Sequence, residues 1–236
     1  LIYLGLTFLC AVAYWLAGMS GFDAIAHSMT TIATGGYSTT DGSLGSFESW
    51  QIDLIAIVGM IVGSLPFILY LKTLQGSYSA LWEDSQVQWF ISLVVIIVLA
   101  VTVSLWLSHE LETIHALRYA AFNVVSIMTG TGYATSDYSQ WGSFAVPVFF
   151  FIMFIGGCAG STTCGIKVFR FQVLYAAART QLHQLLQPHG VFMPYYNRRP
   201  ISDEVIVSVL SFFFVFGVCF ALLAIGLGML GMDYLT

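Results

Sequence analysis

The octet Thr34-Gly35-Gly36-Tyr37-Ser38-Thr39-Thr40-Asp41 recurs as Gly130-Thr131-Gly132-Tyr133-Ala134-Thr135-Ser136-Asp137, a constant 96 positions later. Each copy is short, rich in Gly and Thr, preceded by a half-length apolar segment and set between two long apolar runs. Non-helical backbone at membrane depth is tolerated only where it lines a cavity or is buried in protein. A repeated Thr/Gly-Tyr loop between spans can present carbonyl oxygens to a dehydrated cation. Oxygen-only ligation suits hard cations, and uncharged carbonyls suit a monovalent ion better than a divalent one. Gly35, Gly36, Gly130 and Gly132 permit backbone angles that other residues resist. Thr34, Thr129 and Thr131 can add hydroxyl oxygens, and Tyr37 and Tyr133 are large enough to wedge each loop against neighbouring helices. The chemistry these residues point to is selective cation passage.

A second polar stretch runs Gly156-Gly157-Cys158-Ala159-Gly160-Ser161-Thr162-Thr163-Cys164-Gly165, with Lys167 just after it. Four glycines and three hydroxyls can unwind a helix here. One reading is a flexible gate below the loops, on the ion path, carried by Gly156, Gly157, Gly160, Ser161, Thr162, Thr163, Gly165 and Lys167. The other is close helix packing through small residues. Lys167 is either an electrostatic barrier to cations or a side chain that snorkels to an interface.

The elements that must position these loops are apolar. Of 236 residues, 58% are hydrophobic and 8% charged, with mean hydropathy +0.86. A soluble domain carries about 25% charged residues, so the fold class expected is an all-α polytopic membrane protein. Spans of about 20 apolar residues are expected at 1–17, 52–71 and 89–107, then at 143–155 broken and resumed over 166–186, and at 205–230. Half-helices are expected at 22–33 and 114–128, capped by Asp23 and Thr113. A half-helix entering from outside aims its C-terminal end, with roughly half a negative charge, at the membrane centre, which favours a cation.

The repeating unit is therefore span, half-helix, filter loop, span. It divides the chain into 1–72, a cytoplasmic linker 73–87, a second unit 88–187 with a broken last span, a linker 188–203, and the first span of a further unit, 204–236. Gly18-Met19-Ser20-Gly21-Phe22-Asp23 is echoed by Gly228-Met229-Leu230-Gly231-Met232-Asp233, then Tyr234 and Leu235. The expectation is a fragment of a longer chain, with a third half-helix and loop beyond Thr236.

Lys72, Lys167, Arg170, Arg179, Arg198 and Arg199 mark the cytoplasmic side by the positive-inside rule. The other side carries Asp23, Asp41, Glu48, Asp53, Glu110, Glu112, Asp137 and Asp233, with Arg118 its one basic residue. An acidic mouth concentrates cations and repels anions, although any single acid can equally be a solvated loop residue. With 7 basic and 12 acidic residues, nucleic acid is not an expected partner.

Other classes leave weaker marks. Cys10, Cys158, Cys164 and Cys219 show neither metal-ligand spacing nor a disulfide pattern, and no cofactor is expected. His27 pairs across the repeat with Asn123, which favours packing or hydrogen bonding over catalysis. His109, His115, His183 and His189 show no metal spacing. No nucleophile–base pair marks an intramembrane enzyme. An ion-coupled secondary transporter, using the broken span as its moving part, stays open as the alternative, although a coupling acid inside a span is lacking apart from Asp53 near an end.

Three patterns together resemble the membrane subunit of the Trk/Ktr potassium-transport family: Thr30-Thr31-Ile32-Ala33-Thr34-Gly35-Gly36-Tyr37-Ser38-Thr39, then Met128-Thr129-Gly130-Thr131-Gly132-Tyr133, then residues 156–167. The resemblance covers the whole chain and is most specific in the last pattern. It implies four repeats in one chain around a single pore, of which this chain holds repeats two and three and the first span of repeat four. It implies filter roles for Thr34, Gly35, Gly36, Gly130, Thr131 and Gly132, with potassium as the ion held there. Residues 156–165 become an intramembrane gating loop, in which Cys164 departs from the small residue expected. It further implies potassium uptake across the bacterial cytoplasmic membrane by a homodimer in the bilayer. That dimer would stand on a cytosolic ring of nucleotide-binding regulatory subunits, met by the basic stretch 179–199.

Overall fold

The computed structural model describes residues 1–108, 113–187, 190–197 and 199–231. His109, Glu110, Glu112, His189, Arg198 and the stretch from Met232 onward, Asp233 included, lie outside the described residues, as does the side chain of Thr113 and with it the capping role expected there. Among the described residues the apolar runs are mostly helical, as expected of an all-α membrane protein, and the strands form one short hairpin. It divides into two compact units, Leu1–Phe169 and Arg170–Thr236.

In the first unit, α1 (Ile2–Leu16) is apolar along its length and stops where Gly18 enters the left-handed region at φ +102°. The Met19 N–H then reaches back to the Tyr14 carbonyl at 3.1 Å, a glycine-ended helix stop. The half-helix α2 (Gly21–Ile32) follows at once, and its cap is Ser20 rather than Asp23. The Ser20 Oγ accepts from the Asp23 N–H at 3.2 Å and donates to the Asp23 carboxylate at 2.6 Å. Asp23 thus occupies the first turn, where a negative charge meets the positive helix end.

The expected single span 52–71 is two helices, α3 (Trp50–Ser64) and α4 (Phe67–Leu74), bent by 91°. Leu65 is extended (ψ 157°) because the residue before proline is driven out of the helical region, and Pro66 has no N–H to continue the ladder. The bend leaves the Gly63 and Ser64 carbonyls free to accept from elsewhere. The short α5 (Ala80–Glu83) leads to α6 (Ser85–Leu107), which begins four residues before the expected Trp89 because Asp84 caps it through the N–H groups of Gln86 and Val87. The second half-helix, α7 (Thr113–Met128), packs on α6 and α3. Beyond the second loop, α8 (Gly142–Ile152) ends three residues earlier than expected, and α9 (Val168–Leu186) resumes the path.

In the second unit, α9 leads to a hairpin of β1 (Tyr195–Tyr196) with β2 (Arg199–Pro200), turned by Asn197 at φ +46°, and then to α10 (Asp203–Met229). The Arg170 guanidinium lies 3.9 Å from the centre of the Phe212 ring. Among the described residues, α6 and α10 are each long and apolar enough to cross a membrane, and the bent α3–α4 pair qualifies if taken as one span.

Side-chain burial agrees with a bilayer setting. Tyr14, Met60, Phe90, Phe122 and Tyr133 form the core of the first unit, while Leu4, Phe8, Leu9, Ile96, Leu99 and Val103 stand exposed on its helices. Such an apolar exterior is costly in water and natural in lipid.

Candidate functional site

Both loops descend from the C-terminal end of a half-helix and adopt the same backbone alternation. Thr34 (φ +49°) and Gly130 (φ +69°) are left-handed, Gly35 and Thr131 are not, and Gly36 (φ +70°) and Gly132 (φ +85°) are again left-handed. The expectation that all four glycines serve unusual angles is corrected at Gly35, which occupies the position that Thr131 fills in the other copy. Thr34 instead carries a strained conformation, which for a β-branched residue costs roughly 1–2 kcal/mol.

The hydrogen bonds orient the peptides. The Gly35 N–H donates to the Thr30 carbonyl at 2.7 Å, and the Thr131 N–H to the Ser126 carbonyl at 2.9 Å. In a trans peptide the N–H and C=O point opposite ways, so the Thr34 and Gly130 carbonyls face away from their half-helices. The Gly132 N–H also reaches the Ser126 carbonyl, at 3.3 Å, turning the Thr131 carbonyl outward likewise.

The two loops meet. A Cβ on Gly36 would stand 1.8 Å from the Thr131 carbonyl oxygen. The Gly45 N–H donates to the Ala134 carbonyl at 3.2 Å, and the Ala134 N–H donates to the Ser43 hydroxyl at 3.2 Å. Tyr133, 1% exposed, inserts its ring against α2, where its hydroxyl meets Thr30, Thr31 and the His27 carbonyl. Tyr37, by contrast, is 80% exposed within this chain. Thr129 and Thr131 bond each other at 2.7 Å, and Thr34 donates to the Ala33 carbonyl at 2.7 Å.

His27 and Asn123 do equivalent work. Each is buried, bonds the carbonyl four residues back (Asp23, Tyr119) and holds a loop hydroxyl, Ser38 at 3.0 Å and Thr135 at 3.0 Å.

Residues 156–165 touch both loops. The Thr162 hydroxyl lies within 2.9 Å of the Ile32 and Gly63 carbonyls and 3.5 Å from the Thr34 hydroxyl, and a Cβ on Gly130 would meet the Cys164 Cβ at 3.2 Å. The segment is not a loose coil. Its Cys158 and Thr162 N–H groups donate to the Ser64 and Gly63 carbonyls freed by the bend at Pro66, at 2.9 and 3.1 Å. The Phe67 N–H returns a bond to the Gly160 carbonyl at 3.1 Å, and the Ala159 N–H bonds the Gln86 side chain at 2.9 Å. The Gly157 N–H donates to the Thr163 hydroxyl at 2.9 Å, Gly156 and Gly165 abut, and a short parallel bridge joins Ile155 to Ile166. Glycine content alone suggests flexibility; these partners give the segment a defined path. Lys167 is tied back to the same segment. Its ammonium turns back onto the Thr163 carbonyl and the Thr163 and Ser161 hydroxyls.

On the acidic side, Asp53, 2% exposed, pairs with Arg118 at 2.7 Å, tying α3 to α7 and leaving the net negative charge of that side to the other acids. Asp137 stays exposed. Hydrogen bonds from the side chain and N–H of Ser139 and from Gln140 hold its carboxyl below the ordinary carboxylate range. Among the described residues no cluster of His, Cys, Asp and Glu could hold a metal ion.

A model of the TrkH family, described as cation transport protein, matches residues 1–236. The chain is 44% identical over 237 residues to the Trk system potassium uptake protein TrkI of Halomonas elongata, covering 100% of this chain and 48% of that relative. It is 34% identical over 235 residues to the Trk system potassium uptake protein TrkH of Escherichia coli K12, covering 99% of this chain and 49% of that one. The crystal structure of the potassium transporter TrkH from Vibrio parahaemolyticus superposes with a TM-score of 0.94 at 37% identity, over 99% of this chain and 51% of that structure. The chain thus spans about half the length of the relatives it matches.

Proposed function

The chain belongs to the TrkH family of cation transport proteins, and from that premise we propose that it forms the middle part of a potassium-selective pore in a bacterial cytoplasmic membrane. The observation that carries this reading is the matched pair of loops. Both hold a left-handed residue on either side of one that is not, both turn carbonyls away from the half-helix behind them, and they touch at Gly36 and Thr131. Carbonyls so arrayed replace the water of a monovalent cation, and the C-terminal ends of α2 and α7 favour its charge. Potassium is the transported ion, with rubidium tolerated, and no cofactor is needed in this chain.

Thr34, Gly35, Gly36, Gly130, Thr131 and Gly132 carry the filter backbone, with Thr129 and Tyr133 behind it. Residues 156–165 close the path below as a gate, and Lys167 latches it by holding Thr163. The parent protein works as a homodimer in the lipid bilayer with a cytosolic nucleotide-binding subunit, in keeping with relatives named as parts of a Trk system. Coupled transport is less well supported, because the carboxylate nearest a span interior, Asp53, is spent on Arg118. Uptake by the full-length parent in a potassium-requiring strain tests the assignment. Gly36→Ser and Gly132→Ser are expected to lose discrimination against sodium. Unchanged discrimination in both variants would refute the filter.

A further inference from the structure

Resting on the filter reading, we propose that Thr30 and Ser126 are positioning residues that hold the outer end of each filter loop by turning the following tyrosine carbonyl away from the ion path. The two residues stand at equivalent places in the repeat, in the last turn of α2 and α7, and each grips its loop twice. The carbonyl of Thr30 accepts from the Gly35 N–H at 2.7 Å while its hydroxyl donates to the Tyr37 carbonyl at 2.9 Å. The carbonyl of Ser126 accepts from the Thr131 N–H at 2.9 Å while its hydroxyl donates to the Tyr133 carbonyl at 2.6 Å. The same two-point grip built from Thr in one copy and Ser in the other marks the hydroxyl, rather than side-chain shape, as the shared requirement.

The consequence is geometric. Carbonyls at positions 34 and 130 face away from the half-helices, whereas those at 37 and 133 face toward them. The backbone reverses its carbonyl direction between these positions, so Tyr37 and Tyr133 contribute no oxygen to the path and the ligand-bearing stretch ends at Gly36 and Gly132. Thr30 also receives the Tyr133 hydroxyl, so one relay runs from Tyr133 through Thr30 to the Tyr37 carbonyl and sets the two loops against each other. A hydroxyl supplies one proton: with the Thr30 proton on the Tyr37 carbonyl at 2.9 Å, nearer than the Ala26 and His27 carbonyls at 3.3 Å, the Tyr133 hydroxyl donates to Thr30 in preference to the His27 carbonyl at 3.3 Å.

Rubidium uptake and its inhibition by sodium in the full-length parent, at matched membrane expression, test the proposal with Thr30→Val, Thr30→Ser, Ser126→Ala and Tyr133→Phe beside Gly132→Ser. Thr30→Val and Ser126→Ala are expected to lower potassium-over-sodium selectivity on the order of two- to tenfold, the range one neutral hydrogen bond spans. Thr30→Ser keeps the parental ratio, and Tyr133→Phe shifts it in the same direction as Thr30→Val. If either hydroxyl deletion misfolds, the other and Tyr133→Phe carry the test. Parental selectivity in Thr30→Val, Ser126→Ala and Tyr133→Phe alongside a changed ratio in Gly132→Ser overturns the grip while sparing the filter. Parental selectivity in Gly132→Ser as well overturns both.

Discussion

Adjacent glycines in the first loop are expected to answer the same substitution in opposite ways. At Gly35 an added Cβ would meet a Tyr37 ring carbon at 3.7 Å and the Thr30 carbonyl at 3.9 Å, both ordinary contacts, and the backbone is not left-handed. The other copy already carries a side chain here, Thr131. At Gly36 the Cβ would stand 1.8 Å from the Thr131 oxygen and 2.8 Å from its carbonyl carbon, on a backbone at φ +70°. The left-handed conformation alone costs an L-residue roughly 1–2 kcal/mol, and restoring ordinary contact requires the loops to part by at least about 1 Å. Such a shift moves the Thr131 carbonyl itself. Since about 1.4 kcal/mol is a factor of ten in an equilibrium, Gly36→Ala is expected to cost tenfold or more in potassium-over-sodium selectivity. Gly35→Ala should stay within about twofold, below the scatter of ordinary surface changes. The assay is sodium inhibition of rubidium uptake by the full-length parent, with surface expression measured in parallel. Equal effects of the two substitutions, or a larger one at Gly35, would refute the reasoning.

Three further outcomes follow from the same geometry. Cys164 is exposed beside Gly130 while Cys10 and Cys158 are buried; in a Cys219→Ser background a small charged thiosulfonate should modify Cys164 and reduce flux, and labelling without loss of flux would place that thiol off the path. Lys167→Met removes the ammonium from Thr163 and Ser161, so flux should rise at equal expression, as it should on partial deletion within 156–165; unchanged flux in both would count against the gate. Asp53→Leu strands Arg118, and because that side chain is 27% exposed the loss should fall near the low end of the roughly 3–5 kcal/mol seen for broken buried pairs. Adding Arg118→Met should restore most of it, and a double variant no more stable than Asp53→Leu would argue against the pair.

The repeat offset made the loops, the half-helices and the break after residue 155 legible in sequence, because each depends on local residue type. Partners brought together by folding were not legible. Tyr37 and Tyr133 are the same residue in the same motif, yet only Tyr133 finds α2 beside it. Pro66 breaks a helix locally, but the size of the bend, and the use of the freed Gly63 and Ser64 carbonyls by Cys158 and Thr162, depend on a segment about 100 residues away. The glycine-rich run suggested looseness because composition does not reveal hydrogen-bond partners. Ser20 and Asp23 both suit an N-terminus, so residue type alone does not separate the cap of α2 from its first turn. The alignment of Gly35 with Thr131 in the repeat marks the middle loop position as one that takes a side chain.

If the two loops line one path for a dehydrated potassium-like ion, anomalous scattering from rubidium bound to crystals of the full-length parent should show a peak bounded by the carbonyl oxygens of Thr34, Gly130 and Thr131. A well-ordered filter with no rubidium there, and a peak at another place in the membrane-embedded region, would contradict it.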